Sequence, residues 1–287
     1  MIAAAEAEGI GQPGISAQIK SLEGYYRVPL MERSGRRLRP TAAGRIVADH
    51  ARHLLGLVDD LDRALADLAG VHVGQLVIGA SETVGETVLP EVLGRFQRAY
   101  PAVELVLRLG NSQEIIRAIL ERQLSFGIVG RADDHDALDA RPIFDDRLDF
   151  FARPDHPVAG RDSLRLADLA DETFVLREPG SATRELALAG LAARDFVPRQ
   201  TIQLGNNEAV KRAVAAGLGI GILSAHTLGV DERAGDLAPL RPLDWHCRRQ
   251  FWLIRRRDRV FSGAEQAFLR VLELTPGLLP TGVTTLG

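Results

Sequence analysis

Apolar residues recur every three or four positions through the first quarter of the chain, and after Gly74 give way to short apolar runs alternating with helical stripes. Ile15, Ile19 and Leu22 lie four and three apart, the spacing of one helix face, and Pro13 suits a first turn, where its missing N–H has no intrahelical partner. The pattern predicts a helix over 12–26, with Ser16, Ala17, Gln18 and Lys20 off the apolar stripe. Arg33-Ser34-Gly35-Arg36-Arg37-Leu38-Arg39 is a glycine-centred basic turn between short apolar segments and predicts a two-stranded hairpin. A long helical pattern then runs from Thr41, a plausible cap, to Ala69. Leu54, Leu57, Val58, Leu61, Leu65 and Leu68 form its seam, with Asp59, Asp60, Asp62, Arg63 and Asp67 opposite. A lone helix with a leucine seam wants a partner, so this one reads as a linker and dimerisation helix.

Beyond Gly74 the pattern predicts strands over 76–80, 103–109, 126–130, 148–151, 174–176, 201–204, 219–223 and 251–254. Helices are predicted over 83–100, 113–122 (capped by Ser112), 164–169, 181–194, 208–216 and 264–274. Alternating strands and helices imply parallel-type sheets covered by helices. More than 200 residues of this texture exceed one comfortable core, so the fold class is α/β with two lobes. The final thirteen residues read as a loose tail.

Composition changes the picture in three places. Apolar residues are 46% and charged residues 25% of 287, those of an ordinary globular protein, and no apolar run approaches the roughly 18 residues of a membrane helix. The single cysteine, Cys247, excludes an intrachain disulfide and a cysteine zinc cluster; with no basic leader at the start, a cytoplasmic location is expected. The net charge of −3 hides an asymmetry: residues 15–45 hold seven Lys or Arg against two Glu, a local net of +5. A basic end on an acidic body is the pattern of a nucleic-acid-binding module attached to something else. Gln and Ser on the free face of a short helix can hydrogen-bond base edges, and arginines of a hairpin can reach phosphates. The candidate DNA-binding residues are Gln12, Ser16, Gln18, Lys20, Arg33, Arg36 and Arg37, with double-stranded DNA the partner.

The chain carries, in order, Gln12-Pro13-Gly14-Ile15-Ser16-Ala17-Gln18-Ile19-Lys20-Ser21-Leu22-Glu23, Leu30-Met31-Glu32-Arg33, Arg37-Leu38-Arg39-Pro40-Thr41-Ala42-Ala43-Gly44 and Gly74-Gln75-Leu76-Val77-Ile78-Gly79. Phe126-Gly127-Ile128-Val129-Gly130, Asp155-His156-Pro157 and Gly217-Leu218-Gly219-Ile220-Gly221-Ile222-Leu223 follow. In this order and spacing the chain resembles the LysR-type transcriptional regulators of bacteria, a resemblance that covers nearly its whole length. It implies a partial winged helix-turn-helix over 1–45 and a linker helix over 46–73. Two lobes of periplasmic-binding-protein-like type would follow, the first over 74–147 completed by 249–287, the second over 148–248. It also implies a homodimer or homotetramer. Glu178-Pro179-Gly180-Ser181-Ala182-Thr183-Arg184 resembles the branch that senses small anionic metabolites of carbon and sulfur assimilation. Against the pattern, the chain begins inside the helix before the turn, at Ala3-Ala4-Ala5. Glu8 stands for a leucine, Gly11 for a small hydroxyl residue, Ala17 for an arginine and Arg27 for a turn glycine. Without a first helix, Ile15, Ile19 and Leu22 forgo roughly 1.5–3 kcal/mol of burial each. The expectation is therefore a start codon further upstream or, alternatively, an effector-binding module that has lost DNA binding through N-terminal truncation.

Two such lobes would meet across a cleft faced by strand ends and helix N-termini, which offer free N–H groups to an anion. Three polar junctions suit it: Ala80-Ser81-Glu82-Thr83, Pro179-Gly180-Ser181-Ala182-Thr183 and Gly205-Asn206-Asn207-Glu208. Ser81, Glu82, Thr83, Gly130, Ser181, Thr183, Asn206 and Asn207 are the candidate effector-binding residues, for a small anionic metabolite. The competing explanation is that Ser81, Ser181 and Asn206 only cap their helices. No cofactor, metal or enzyme activity is expected. Gly79-Ala80-Ser81-Glu82-Thr83 lacks nucleophile-elbow spacing, Asp133-Asp134-His135-Asp136 reads as a solvated loop, His156 as structural and Arg255-Arg256-Arg257 as a solvated edge.

Overall fold

In the computed structural model, which describes residues 12–34, 37–68 and 74–275, the chain divides into two units, Met1–Leu61 and Asp62–Gly287. The first unit carries the helix α1 (Gln12–Tyr26) and an antiparallel hairpin of β1 (Met31–Ser34) and β2 (Arg37–Pro40). Glu23 fixes the turn between helix and hairpin: its Oε1 accepts the N–H groups of Leu30 (2.7 Å) and Met31 (3.1 Å). Arg27 takes φ +54° in that turn, a conformation that costs a residue with a Cβ roughly 1–2 kcal/mol and suits the glycine that Arg27 replaces. Thr41 then starts α2 (Ala42–Leu68), its Oγ1 accepting from Gly44 N at 3.0 Å and donating to Pro29 O at 2.7 Å. Gly44 permits the close approach, since a Cβ there would stand 2.0 Å from the Leu30 carbonyl oxygen. Leu54, Leu55, Leu57, Val58 and Leu61 of α2 are each at least half exposed. Among the described residues no helix is long and apolar enough to cross a membrane.

The second unit holds one nine-stranded sheet: β3 (Gly74–Ser81), β4 (Val103–Gly110), β5 (Phe126–Val129), β6 (Leu138–Ala152), β7 (Thr173–Arg177), β8 (Gln200–Leu204), β9 (Ile220–Ser224), β10 (Ala238–Leu240) and β11 (Cys247–Arg256). The spatial order is β4-β3-β5-β11-β6-β9-β7-β8, with β10 paired to β6. Neighbours are parallel at both ends, and β6 and β11 form the antiparallel pair between them. Residues 252–255 of β11 bond to β5, whereas residues 148–151 of β6 bond to β9. The two long strands therefore belong to both halves, and the sheet is two lobes sharing a crossed pair.

Helices cover both faces of each lobe. In the first, α4 (Leu89–Ala99) and α9 (Gly263–Glu273) bury Phe96, Phe126 and Phe268, and α5 (Ser112–Leu120) buries Ile115, Ile116 and Ile119 behind the sheet. In the second, α6 (Ala182–Ala192) packs on Phe150 and Phe174. On the other face α7 (Asn207–Ala215) and α8 (Ala225–Ala234) pack on Phe151 and Leu223. Phe150 and Phe151 are adjacent and fill opposite cores, as the two-residue period of a strand requires.

The structure corrects the element pattern in several places. The helix expected over 83–100 is two, α3 (Glu82–Thr87) and α4, broken at Val88 because Pro90 has no N–H to donate to the preceding turn and fits only a first turn. Asn111, not Ser112, caps α5, in a reciprocal pair with Glu114 at 3.0 Å each way. Strand β6 begins ten residues before the expected start. Its charged first half hides the alternation, and Pro142 is accommodated beside a bulge where the register passes from Phe251–Phe144 to Trp252–Pro142. Helix α8 has no apolar stripe to announce it and ends at Gly235 with φ +78°. Arg255 and Arg256 are not a solvated edge: Arg255 lies over the Phe261 ring and Arg256 pairs with Asp258 at 3.0 Å.

Asp258 also receives Arg122 at 2.5 Å, and these two guanidinium partners, Arg256 foremost, hold its pKa down at about 2, from 3.8. A lowered carboxylate stabilises the fold above pH 3.8, and the contribution is lost as the pH falls toward 2. With the side chain half exposed, Asp258→Asn should cost about 0.5–1 kcal/mol at pH 7 after solvent screening. Urea unfolding at pH 7 and near pH 2 should show that difference shrinking at the lower pH.

Candidate functional site

Asp146 of β6 and Arg249 of β11 stand directly opposite each other at the middle of the crossed pair, between the stretches bonded to each lobe. Both side chains are almost wholly buried, and Arg249 Nε meets Asp146 Oδ2 at 2.6 Å. Ser224 at the end of β9 donates its hydroxyl to Asp146 Oδ1 at 2.8 Å, and the Arg249 guanidinium lies 4.5 Å above the Phe251 ring. Burial pushes the Arg249 pKa below its ordinary value, and Asp146 opposes that shift. The guanidinium then reaches into the gap between the lobes. Its Nη1 donates to Thr183 Oγ1 at 3.0 Å, whereas its Nη2 is buried with no hydrogen-bond partner. Gly130 keeps the path clear, for a Cβ there would stand 2.8 Å from Arg249 Nη1.

Around that guanidinium lie strand ends and helix starts from both lobes: Ser81, Glu82 and Thr83 where β3 passes into α3, Asn111 and Ser112 at the start of α5, and Ser181 and Thr183 at the start of α6. The cavity there measures about 10 Å³, room for one water at most. Neither Ser81 nor Ser181 caps its helix through its side chain, and Ser81 Oγ is buried without a partner. Capping alone therefore does not account for these two serines. It does account for Asn206, which is exposed and accepts from Ala209 N at 2.7 Å, away from the cavity.

The lobes are latched beside the cavity by a second buried arginine. Arg177, at the end of β7, pairs with Glu82 of the first lobe at 2.9 Å and with Glu178 at 2.8 Å, and donates to Asn207 Oδ1. Asn207 in turn donates to Glu86 at 2.9 Å, and Gln113 N donates to Gly180 O at 3.1 Å, both across the gap. Burial raises the Glu82 pKa, and the Arg177 charge works against it. Sequence reasoning thus brought Ser81, Glu82, Thr83, Gly130, Ser181 and Thr183 to one place and put Asn207 on the latch. It missed Asp146, Arg177 and Arg249, whose strands were drawn too short or read only as apolar runs.

In the first unit Gln18 and Lys20 are exposed on α1, Ser16 is half-buried and Arg33 is exposed at the end of β1. Gln12 begins α1 and Arg37 begins β2; Arg36, Glu8 and Gly11 lie outside the described residues. Among the described residues no group of three or more potential metal ligands occurs. His156 lies 3.3 Å from Glu172 in a turn, and burial raises the Cys247 thiol pKa.

Residues 69–275 match the LysR substrate binding domain, and residues 1–45 match the bacterial regulatory helix-turn-helix protein, lysR family. The chain belongs to the LysR family of transcriptional regulators. It is 34% identical over 270 residues to the HTH-type transcriptional regulator CbbR of Rhodospirillum rubrum, covering 94% of this chain and 89% of that one. The CcmR regulatory domain of Synechocystis PCC6803, solved in complex with 2-PG, is 32% identical with a TM-score of 0.64, over 70% of this chain and 96% of that one. Full-length CbnR, solved with its target DNA, shares the fold: TM-score 0.68 at 23% identity, over 94% of this chain and 92% of that one.

Within this LysR-type regulatory unit, Asp146 is the only described ion-pair partner of Arg249, so the two side chains should behave as a pair. Asp146→Ala leaves a buried guanidinium uncompensated and should cost about 3–5 kcal/mol in denaturant unfolding. The double replacement Asp146→Leu with Arg249→Met should be markedly less destabilising than Asp146→Ala alone; equal losses would mean that the ion pair is not what the site is built on.

Proposed function

We propose that this LysR-type regulator binds double-stranded DNA through α1 and the hairpin, and that a small organic anion entering the cleft between the lobes changes that binding. In this reading residues 1–45 contact DNA and 46–73 pair two subunits. Residues 74–147 with 249–287 form the first effector lobe and 148–248 the second. The observation that carries the effector is the partnerless edge of Arg249, buried beside the equally partnerless Ser81 hydroxyl. A buried charged donor left unmatched is costly, and a carboxylate or phosphate oxygen would match it. The first-turn N–H groups of α6 would add to the same anion. CcmR, with its 2-PG, points to the same class of ligand.

The cavity admits no such anion as it stands, so entry requires the lobes to part and the Arg177–Glu82 latch to open. The effector then acts through its different affinity for the two arrangements. The exposed leucines of α2 supply the seam for a homodimer, from which a homotetramer can be built. In this reading the protein works in the cytoplasm as a sensor and not an enzyme, which the relatives named transcriptional regulators support.

Fluorescence anisotropy on the DNA beside its own gene tests the reading. Binding should resist competitor DNA and weaken steeply with salt, because cationic side chains displace counterions from phosphates. Reversing Arg36 and Arg37 to glutamate should abolish it without touching small-anion binding. Specific binding that survives the reversal, or none at any salt, would contradict the proposal.

A further inference from the structure

A second cavity, of about 480 Å³, lies wholly within the first lobe and away from the cleft. Its floor is one face of the crossed pair, where Leu253 stands opposite Arg141 and Arg255 opposite Asp139. One wall is a single face of α9, formed by Gln266, Leu269, Arg270 and Glu273 at helical spacing. Phe261 closes one end, with Arg255 laid over its ring at 5.0 Å. Leu253 and Leu269 are buried members of the lobe core, so the bottom is apolar.

The rim is charged and unbalanced. Arg141 is bound by Glu273 at 3.0 Å and Arg255 by Asp139 at 3.2 Å, which leaves Arg270 with no ion-pair partner among the described residues. The Nε of Arg141 is buried without a hydrogen-bond partner. Three cations against two anions around an apolar floor make a surplus of one positive charge. The volume falls within the roughly 300–1,000 Å³ of small-molecule sites.

We propose that this cavity is a second ligand site, which takes a small monocarboxylic acid with its apolar body on Leu253 and Leu269 and its carboxylate toward Arg270 and Arg141. It depends neither on the cleft's ligand nor on DNA binding. Octanoate serves as probe and octanol as its uncharged counterpart. Calorimetric titration of the full chain should show one octanoate bound per chain, with octanol at least about tenfold weaker, the loss expected for one charge-assisted hydrogen bond. Arg270 is exposed, so Arg270→Gln should fold as the parent does, which its melting temperature checks; it should weaken octanoate by about tenfold, and Arg141→Gln should weaken it again. Hydrogen exchange at saturation should show protection over 260–273 and 253–256. Absent binding, binding indifferent to both substitutions, or protection confined to residues 81–83 and 181–183 would overturn the proposal.

Discussion

The regulatory unit depends on one buried ion pair placed where two strands change partners. Among the described residues β6 and β11 are the only strands that belong to both lobes, and Asp146–Arg249 sits at their crossing with both side chains almost wholly out of water. Desolvating two charges is expensive, and such a pair often stabilises a fold no better than hydrophobic residues of the same volume. Its value here lies elsewhere. Asp146 holds Arg249 by one nitrogen while the other edge faces the cleft, so the scaffold spends one interaction to present a second.

The rest of the site follows from that placement. Parallel strands end, and helices begin, on the side where Arg249 emerges, and this is where an open α/β sheet gathers polar side chains and free N–H groups. Gly130 is small because Arg249 passes over it. Arg177 acts differently. All its nitrogens are engaged by Glu82, Glu178 and Asn207, so it joins the lobes and offers no free edge. One arginine is tied off as a latch and the other is left open, and in the proposed function that division separates holding the lobes together from recognising an anion.

Much of this could be read in the sequence, for identifiable reasons. Helix α1, the hairpin and the long leucine-seamed helix carry periodicities that local physics enforces, and Thr41 and Pro40 mark a boundary as plainly as a cap and a helix breaker can. The three strand-to-helix junctions were visible because Ser, Thr, Gly and Asn cluster there. Asp146 and Arg249 were not visible, because each is one charged residue within a run of others. Only the register, which sets Asp146 against Arg249 across 103 positions of chain, gives them meaning. The same limit hid the first half of β6 and the pairing of Arg255 with Asp139. Serine at a helix start could not declare whether it caps or waits for a ligand; the unused hydroxyl of Ser81 shows that it does not cap.

The central claim is that the open edge of Arg249 recognises an anion. Calorimetric titration of a panel of small carboxylates and phosphate esters into the parent and into the Asp146→Leu, Arg249→Met double variant, which keeps the crossing free of an unpaired charge, tests it most directly. At least one compound should bind the parent with one site per chain and bind the variant about a hundredfold more weakly, as loss of a buried charge-assisted contact requires. Equal affinity for both proteins would contradict the account.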